Sequence, residues 1–200
     1  MSDPLPSQPN FKAIEAVSHK SADRRTAILA LIGNIGFTWS NNESMFIYIL
    51  KLLLGTDQKC AAVVFATLNT TRARLDLVER LATLRITDKA MAKELDRIIS
   101  RFNDGTRVRN EFNHCTYTLN DSGEITHTYS IRIQDVRGQL RLGYTKKMDN
   151  ARIQQMIKTI KDLRQLNRDL WSFIERLQSH LTAARGEGEL SEKAAKTAKG

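Results

Sequence analysis

Arg109-Asn110-Glu111-Phe112-Asn113-His114 brings together a guanidinium, two amides, a carboxylate and an imidazole in one short stretch. An arginine fork can hold a phosphate bidentately, and an imidazole can exchange a proton near neutral pH. Together they can perform phosphodiester chemistry without a metal. The same side chains can instead form a hydrogen-bonded knot that closes a helical bundle. The residues alone leave both readings open.

The element that must position them is a helix starting at Thr87-Asp88. Met91, Leu95, Ile98, Ile99 and Phe102 form its inner stripe, and Arg109 and Phe112 continue the same phase. Asn103-Asp104-Gly105 interrupts this run with residues that kink or break a helix. Arg109 therefore emerges on the inward side and calls for an acidic or phosphate partner. Asn110 and His114 lie one turn apart on one face, whereas Arg109 and His114 differ by about 140°. The two converge on one ligand only if the helix distorts or the long arginine wraps around it.

Upstream, a helical pattern begins at about Phe11. Ile28, Leu31, Ile32, Ile35, Trp39, Phe46, Ile49, Leu50 and Leu53 share one face, predicting one long helix to Leu54. Ser40-Asn41-Asn42-Glu43 can alternatively be read as a capping box opening a second helix, but the stripe passes through it in phase. Glu43 interrupts that stripe with a carboxylate that needs a basic partner. Arg109 is the expected one, which would make Glu43 a residue orienting the arginine. Residues 60–68 are almost wholly apolar and predict a short buried helix, and residues 71–84 predict another with one apolar side.

After His114 the period changes to two. Cys115, Tyr117 and Leu119 alternate with polar residues. Ile125, His127, Tyr129, Ile131 and Ile133 are expected on one apolar face of a second strand, and Leu140, Leu142 and Tyr144 line a third. The strand tyrosines, and His127 with them, are expected to pack rather than meet a ligand. From Asp149 an apolar stripe at helical spacing runs to Leu181. The fold class is thus mainly α: a helical bundle with an inserted three-stranded antiparallel β-meander at about 115–146. Residues 1–10, which hold all three prolines, read as a flexible leader. Residues 11–184 read as a single domain, and 185–200 as a disordered tail.

The chain of 200 residues is 41% hydrophobic and carries a net charge of +9, an excess that resides in residues 11–184. A basic body suits RNA or another polyanion, although well-solvated helix faces would look the same. Cys60 and Cys115 lack paired spacing and read as buried free thiols of a reducing compartment. No signal peptide and no membrane-length apolar run is legible, so the expected location is the cytoplasm, without membrane contact. No Gly-rich phosphate loop, Walker lysine, dinucleotide fingerprint or His-Glu-x-x-His helix occurs, and the histidines and cysteines have no metal-ligand spacing. No cofactor or metal is expected. His19 and His180 stand apart and are expected at the surface.

The Arg-x4-His spacing of Arg109 and His114, with Asn110 directly after the arginine and helices on both sides, resembles the signature of the HEPN superfamily. That resemblance implies a helical homodimer in which two such motifs face a shared cleft, and a metal-independent endoribonuclease that leaves 2′,3′-cyclic phosphate ends. It implies that Arg109 binds the scissile phosphate and that His114 exchanges a proton with the 2′-hydroxyl or the leaving oxygen. Asn110 would position the arginine or the phosphate, with Asn113 and Glu43 in support. The alternative is a non-catalytic helical dimer, a regulatory or protein-partner-binding module in which these residues form a structural network.

Overall fold

The computed structural model describes residues 24–120, 123–136 and 139–197. The leader expected over 1–10, the start of the first helical pattern and His19 lie outside the described residues. Among the described residues, five helices and one sheet follow in order: α1 (Arg24–Leu54), α2 (Gln58–Thr67), α3 (Thr71–Arg85), α4 (Lys89–Asn113), β1 (Cys115–Leu119), β2 (Ile125–Val136), β3 (Gln139–Lys147) and α5 (Asn150–Thr197). The protein is mainly α with an inserted antiparallel meander, in strand order β1-β2-β3.

Where the sequence predicts one domain over 11–184, the chain divides into two compact units. Among the described residues, one comprises 24–41 and 101–167; the other comprises 42–100 and 168–197. The boundary is illegible because α1, α4 and α5 each contribute to both units and keep their apolar stripes in phase throughout. α5 also extends to Thr197, well into the stretch expected to be a disordered tail. That stretch is rich in alanine, lysine and glutamate, all strong helix formers.

In the unit that holds the meander, Ile28, Leu31 and Ile35 of α1 pack with Phe112, Ile125, Met148, Met156 and Ile160. Gly105 does not break α4. A Cβ there would come within 2.5 Å of the Leu163 side chain, so the glycine admits close approach of α5. In the other unit, Phe46, Ile49, Leu50, Leu75, Val78, Leu95, Phe173 and Ile174 are buried. The apolar run at 60–68 is only partly buried: α2 turns Ala61 and Phe65 inward and leaves Cys60 and Val63 exposed. A single short helix can bury one stripe, so the remaining apolar positions face outward.

The meander departs from the expected alternation. Leu119 lies opposite Ile125, but Thr118 lies opposite His127, so Thr126 is an extra residue on β2. A bulge of this kind reverses which positions share a face. Ile125, Thr128 and Ser130 consequently lie on the buried side with Tyr117 and Cys115, while His127 and Tyr129 turn to the opposite side. The single apolar face expected for Ile125, His127 and Tyr129 is therefore corrected. The side chains of Ile131 and Ile133, expected on the same face, are outside the described ones. A second irregularity, between Ser130 and Ile133, faces Gly143, which adopts φ +73. A Cβ there would meet the Tyr129 hydroxyl at 2.5 Å.

Candidate active site

The last turns of α4 carry the site. Phe102, Thr106 and Arg109 lie at spacings of four and three on one side of the helix, and Trp39 of α1 lies across them. The Trp39 ring stacks on Phe102 with centroids 5.6 Å apart, and its Nε1 donates to Thr106 Oγ1 at 2.8 Å. Arg109 Cζ sits 4.0 Å over the same indole. A planar guanidinium over an aromatic face is held by cation–π attraction while its edge donors remain available.

One of those donors is used locally: Arg109 Nη1 donates to Asn110 Oδ1 at 2.8 Å. This bond draws the guanidinium round the helix toward the face that Asn110 shares with His114. Helical spacing holds to the end, because His114 N donates to Asn110 O at 3.1 Å. Arg109 is half-buried and its Nε has no hydrogen-bond partner among the described residues. Asn113 and His114 are exposed.

Arg109 and Glu43 each find a partner inside their own unit, so the ion pair expected between them is corrected. Glu43 Oε1 accepts from Thr71 Oγ1 at 2.6 Å and from Arg74 Nη1 at 3.0 Å. Arg74 also donates through Nε to the carbonyls of Phe65 and Leu68, closing the end of α2, and its Cζ lies 4.3 Å over the Phe65 ring. Glu43 thus ties α1 to α3 through Arg74. The need for a basic partner was legible on α1, but its identity depended on which helix packed alongside.

Glu111, between Arg109 and His114, belongs to a second network. Its Oε1 accepts from Lys146 Nζ at 2.8 Å and forms a closer ion pair with Arg152 Nη2. Arg152 is 8% exposed, lies 4.7 Å over the Phe112 ring, and donates through Nη1 to Gln155 Oε1 at 2.8 Å. Asp149 caps α5 by accepting from Arg152 N at 2.9 Å. The network clamps the end of α4 to β3 and to the first turn of α5. Sequence reasoning missed Lys146, Arg152 and the contact role of Trp39. One signal existed for Arg152: a cation in the first turn of a helix opposes the macrodipole, so an anionic partner is called for.

Tyr117 and Cys115 converge on the carbonyl that ends this turn. The Tyr117 hydroxyl donates to Phe112 O at 2.6 Å, and Cys115 Sγ donates to the same oxygen at 3.5 Å. Burial pushes the Cys115 thiol up, and burial together with the hydrogen bond to Cys115 pushes the Tyr117 phenol up strongly. Both groups stay protonated near neutral pH, so neither serves as an anionic nucleophile. Cys60, expected to be buried, is an exposed thiol whose Sγ donates to Asp57 Oδ2 at 3.4 Å. Half-buried His180 lies 3.5 Å from Thr87 Oγ1. Among the described residues no three His, Cys, Asp or Glu side chains converge to hold a metal ion. No described helix is long and apolar enough to cross a membrane.

Compared with known protein families, with characterised proteins and with solved structures, the chain matches none.

Proposed function

We propose that the protein is a HEPN-like, metal-independent endoribonuclease that acts as a homodimer in the cytoplasm. One observation carries the reading. The Arg109 guanidinium is cushioned on Trp39 and tethered by Asn110, with no carboxylate partner among the described residues, beside the face that ends in exposed His114. The nearest carboxylate in sequence, Glu111, is neutralised by Arg152 and Lys146. An arginine without an anion among the described residues, five positions before an exposed imidazole at the same helix end, suits a phosphodiester ligand.

In this reading Arg109 holds the scissile phosphate and stabilises the charge that develops on it. The 2′-hydroxyl of RNA attacks phosphorus, its proton passes to a base, and the bond to the 5′ oxygen breaks as that oxygen gains a proton. The products are a 2′,3′-cyclic phosphate and a 5′-hydroxyl. One His114 can serve as base or as acid, and a facing second copy supplies the other. Asn110 sets the guanidinium's direction, and Asn113 offers a further amide at the exposed end of the helix.

A second reading, a non-catalytic helical dimer that binds a regulatory protein partner, draws on a different observation. Arg109 already has internal contacts on two sides and is half-buried. Incubation of unstructured RNA with the protein in excess chelator separates the two. The nuclease reading expects cleavage to cyclic phosphate ends in wild type and none in folded, dimeric Arg109→Ala and His114→Ala variants. Absence of cleavage in wild type, or cleavage that survives in both variants, returns the motif to a structural role.

A further inference from the structure

We infer that the outer face of the β-meander is a binding platform for single-stranded RNA, with Tyr129 stacking on a base and Lys147 contacting a phosphate. The inference rests on the ribonuclease reading and adds the surface that would hold the strand beside the reaction centre.

The bulge at Thr126 creates this face. Cross-strand pairing places Thr118, His127 and Lys147 in one row and Thr116, Tyr129 and Thr145 in the next. The opposite side of the sheet holds buried Ile125, Thr128 and Ser130, so these two rows look away from the core. Their exposure agrees: Thr116, Thr118, Thr145 and Lys147 are exposed, and His127 and Tyr129 are half-buried.

Three chemical features fit an RNA strand. Neither row contains a carboxylate, while Lys147 supplies a cation and His127 two ring nitrogens, within a protein of net charge +9. Three threonine hydroxyls can donate to and accept from sugar and base edges. The Tyr129 hydroxyl reaches over Gly143, where a Cβ would stand 2.5 Å away. The hydroxyl end of the ring thus lies against a neighbour without a side chain, and an aromatic ring on an exposed sheet face is the kind of group on which a base can stack. A row of threonines without an aromatic ring would give no such surface.

The face also leads to the reaction centre. His114 precedes Thr116 by two residues, roughly 7 Å of extended chain, and Thr116 is the cross-strand partner of Tyr129. A strand stacked at Tyr129 therefore runs beside the stretch of chain that begins at His114.

The test uses a fluorescein-labelled 2′-O-methyl oligouridylate, which cannot be cleaved through its 2′ oxygen, so binding is read apart from chemistry. Anisotropy titrations across a salt series should show salt-dependent binding by the full-length wild type. Tyr129→Ala should weaken binding about fivefold or more, and Tyr129→Phe, which keeps the ring, should retain it. Lys147→Gln should lower the slope of log affinity against log salt by about 0.7. Lys147→Glu and Thr116→Glu, at exposed positions that tolerate substitution, should abolish binding in proteins whose melting temperature is unchanged. Affinity and salt slope equal to wild type in these last two variants would overturn the platform, even if RNA cleavage at His114 persists. Displacement of the oligonucleotide by polyglutamate as readily as by unlabelled RNA would also overturn it, by showing a general polyanion surface. Loss of binding in the variants, in a protein that cleaves no RNA, would keep the platform and sink the nuclease.

Discussion

The guanidinium of Arg109 lies 4.0 Å over the indole of Trp39, and the same indole donates to Thr106 one turn earlier on α4. One buried side chain from α1 therefore sets the position of the arginine and is itself held by the helix that carries it. This explains how a charged residue can occupy an inward position without a carboxylate. The aromatic face replaces part of the hydration it loses, and the amide of Asn110 takes one donor.

Trp39→Phe should keep most of the packing but lose the hydrogen bond to Thr106 and part of the ring beneath Arg109. A destabilisation of about 1–2 kcal/mol is expected in urea unfolding. The proposed nuclease activity predicts that RNA cleavage falls by more than stability accounts for, because the guanidinium loses its orientation. Equal cleavage per folded molecule in the variant would show that Trp39 is only a core residue.

Glu111→Gln should be among the most damaging single substitutions at this end of α4. It leaves Arg152, 8% exposed, without its anion, and it frees Lys146 from the same oxygen. Removing one partner of a buried pair costs about 3–5 kcal/mol. Chemical denaturation should show this as a lower midpoint with an unchanged slope.

Glu43→Gln tests a different staple. The Glu43–Arg74 pair retains 16% and 20% side-chain exposure, so solvent screening reduces its worth to about 1–3 kcal/mol. The Arg74 bonds to the Phe65 and Leu68 carbonyls persist. Melting temperature should drop, and under the proposed nuclease activity RNA cleavage per folded molecule should stay at the wild-type level. A selective loss of cleavage would instead tie Glu43 to Arg109.

Alkaline pH should destabilise the meander through Cys115 and Tyr117. Burial raises both, so each holds its proton more tightly in the folded state than in the unfolded chain. Their contribution is fully present below the ordinary thiol and phenol values of 9.0 and 10.0 and is lost as pH rises through the folded values. Melting temperature should therefore fall from about pH 9 upward. The Cys115→Ala/Tyr117→Phe double variant should show a shallower fall, although it starts lower because the Phe112 carbonyl loses both donors.

Local pattern determined the elements. The phase shared by Ile28, Leu31, Ile35 and Trp39 is enough to write α1, and the switch from period three or four to period two after His114 is enough to write the meander. The charged stretch at 109–114 was legible for the same reason, since residue type and spacing along one helix are written in the chain.

Tertiary structure decided which groups meet. Glu43 and Arg109 both asked for a partner, but only the packing of α1 against α3 assigned Arg74 to the first. Only the packing of α1 against α4 placed an indole beneath the second. The faces of β2 were settled by one extra residue at Thr126, visible only once β1 pairs with it, because alternation is a property of one strand and register a property of two. Arg152 and Lys146 reach Glu111 from elements distant in sequence, and no local periodicity encodes such a meeting. The physical reason is common to the three side-chain meetings: burial requires that each polar group be satisfied, but the partner is supplied by whichever surface the fold brings alongside.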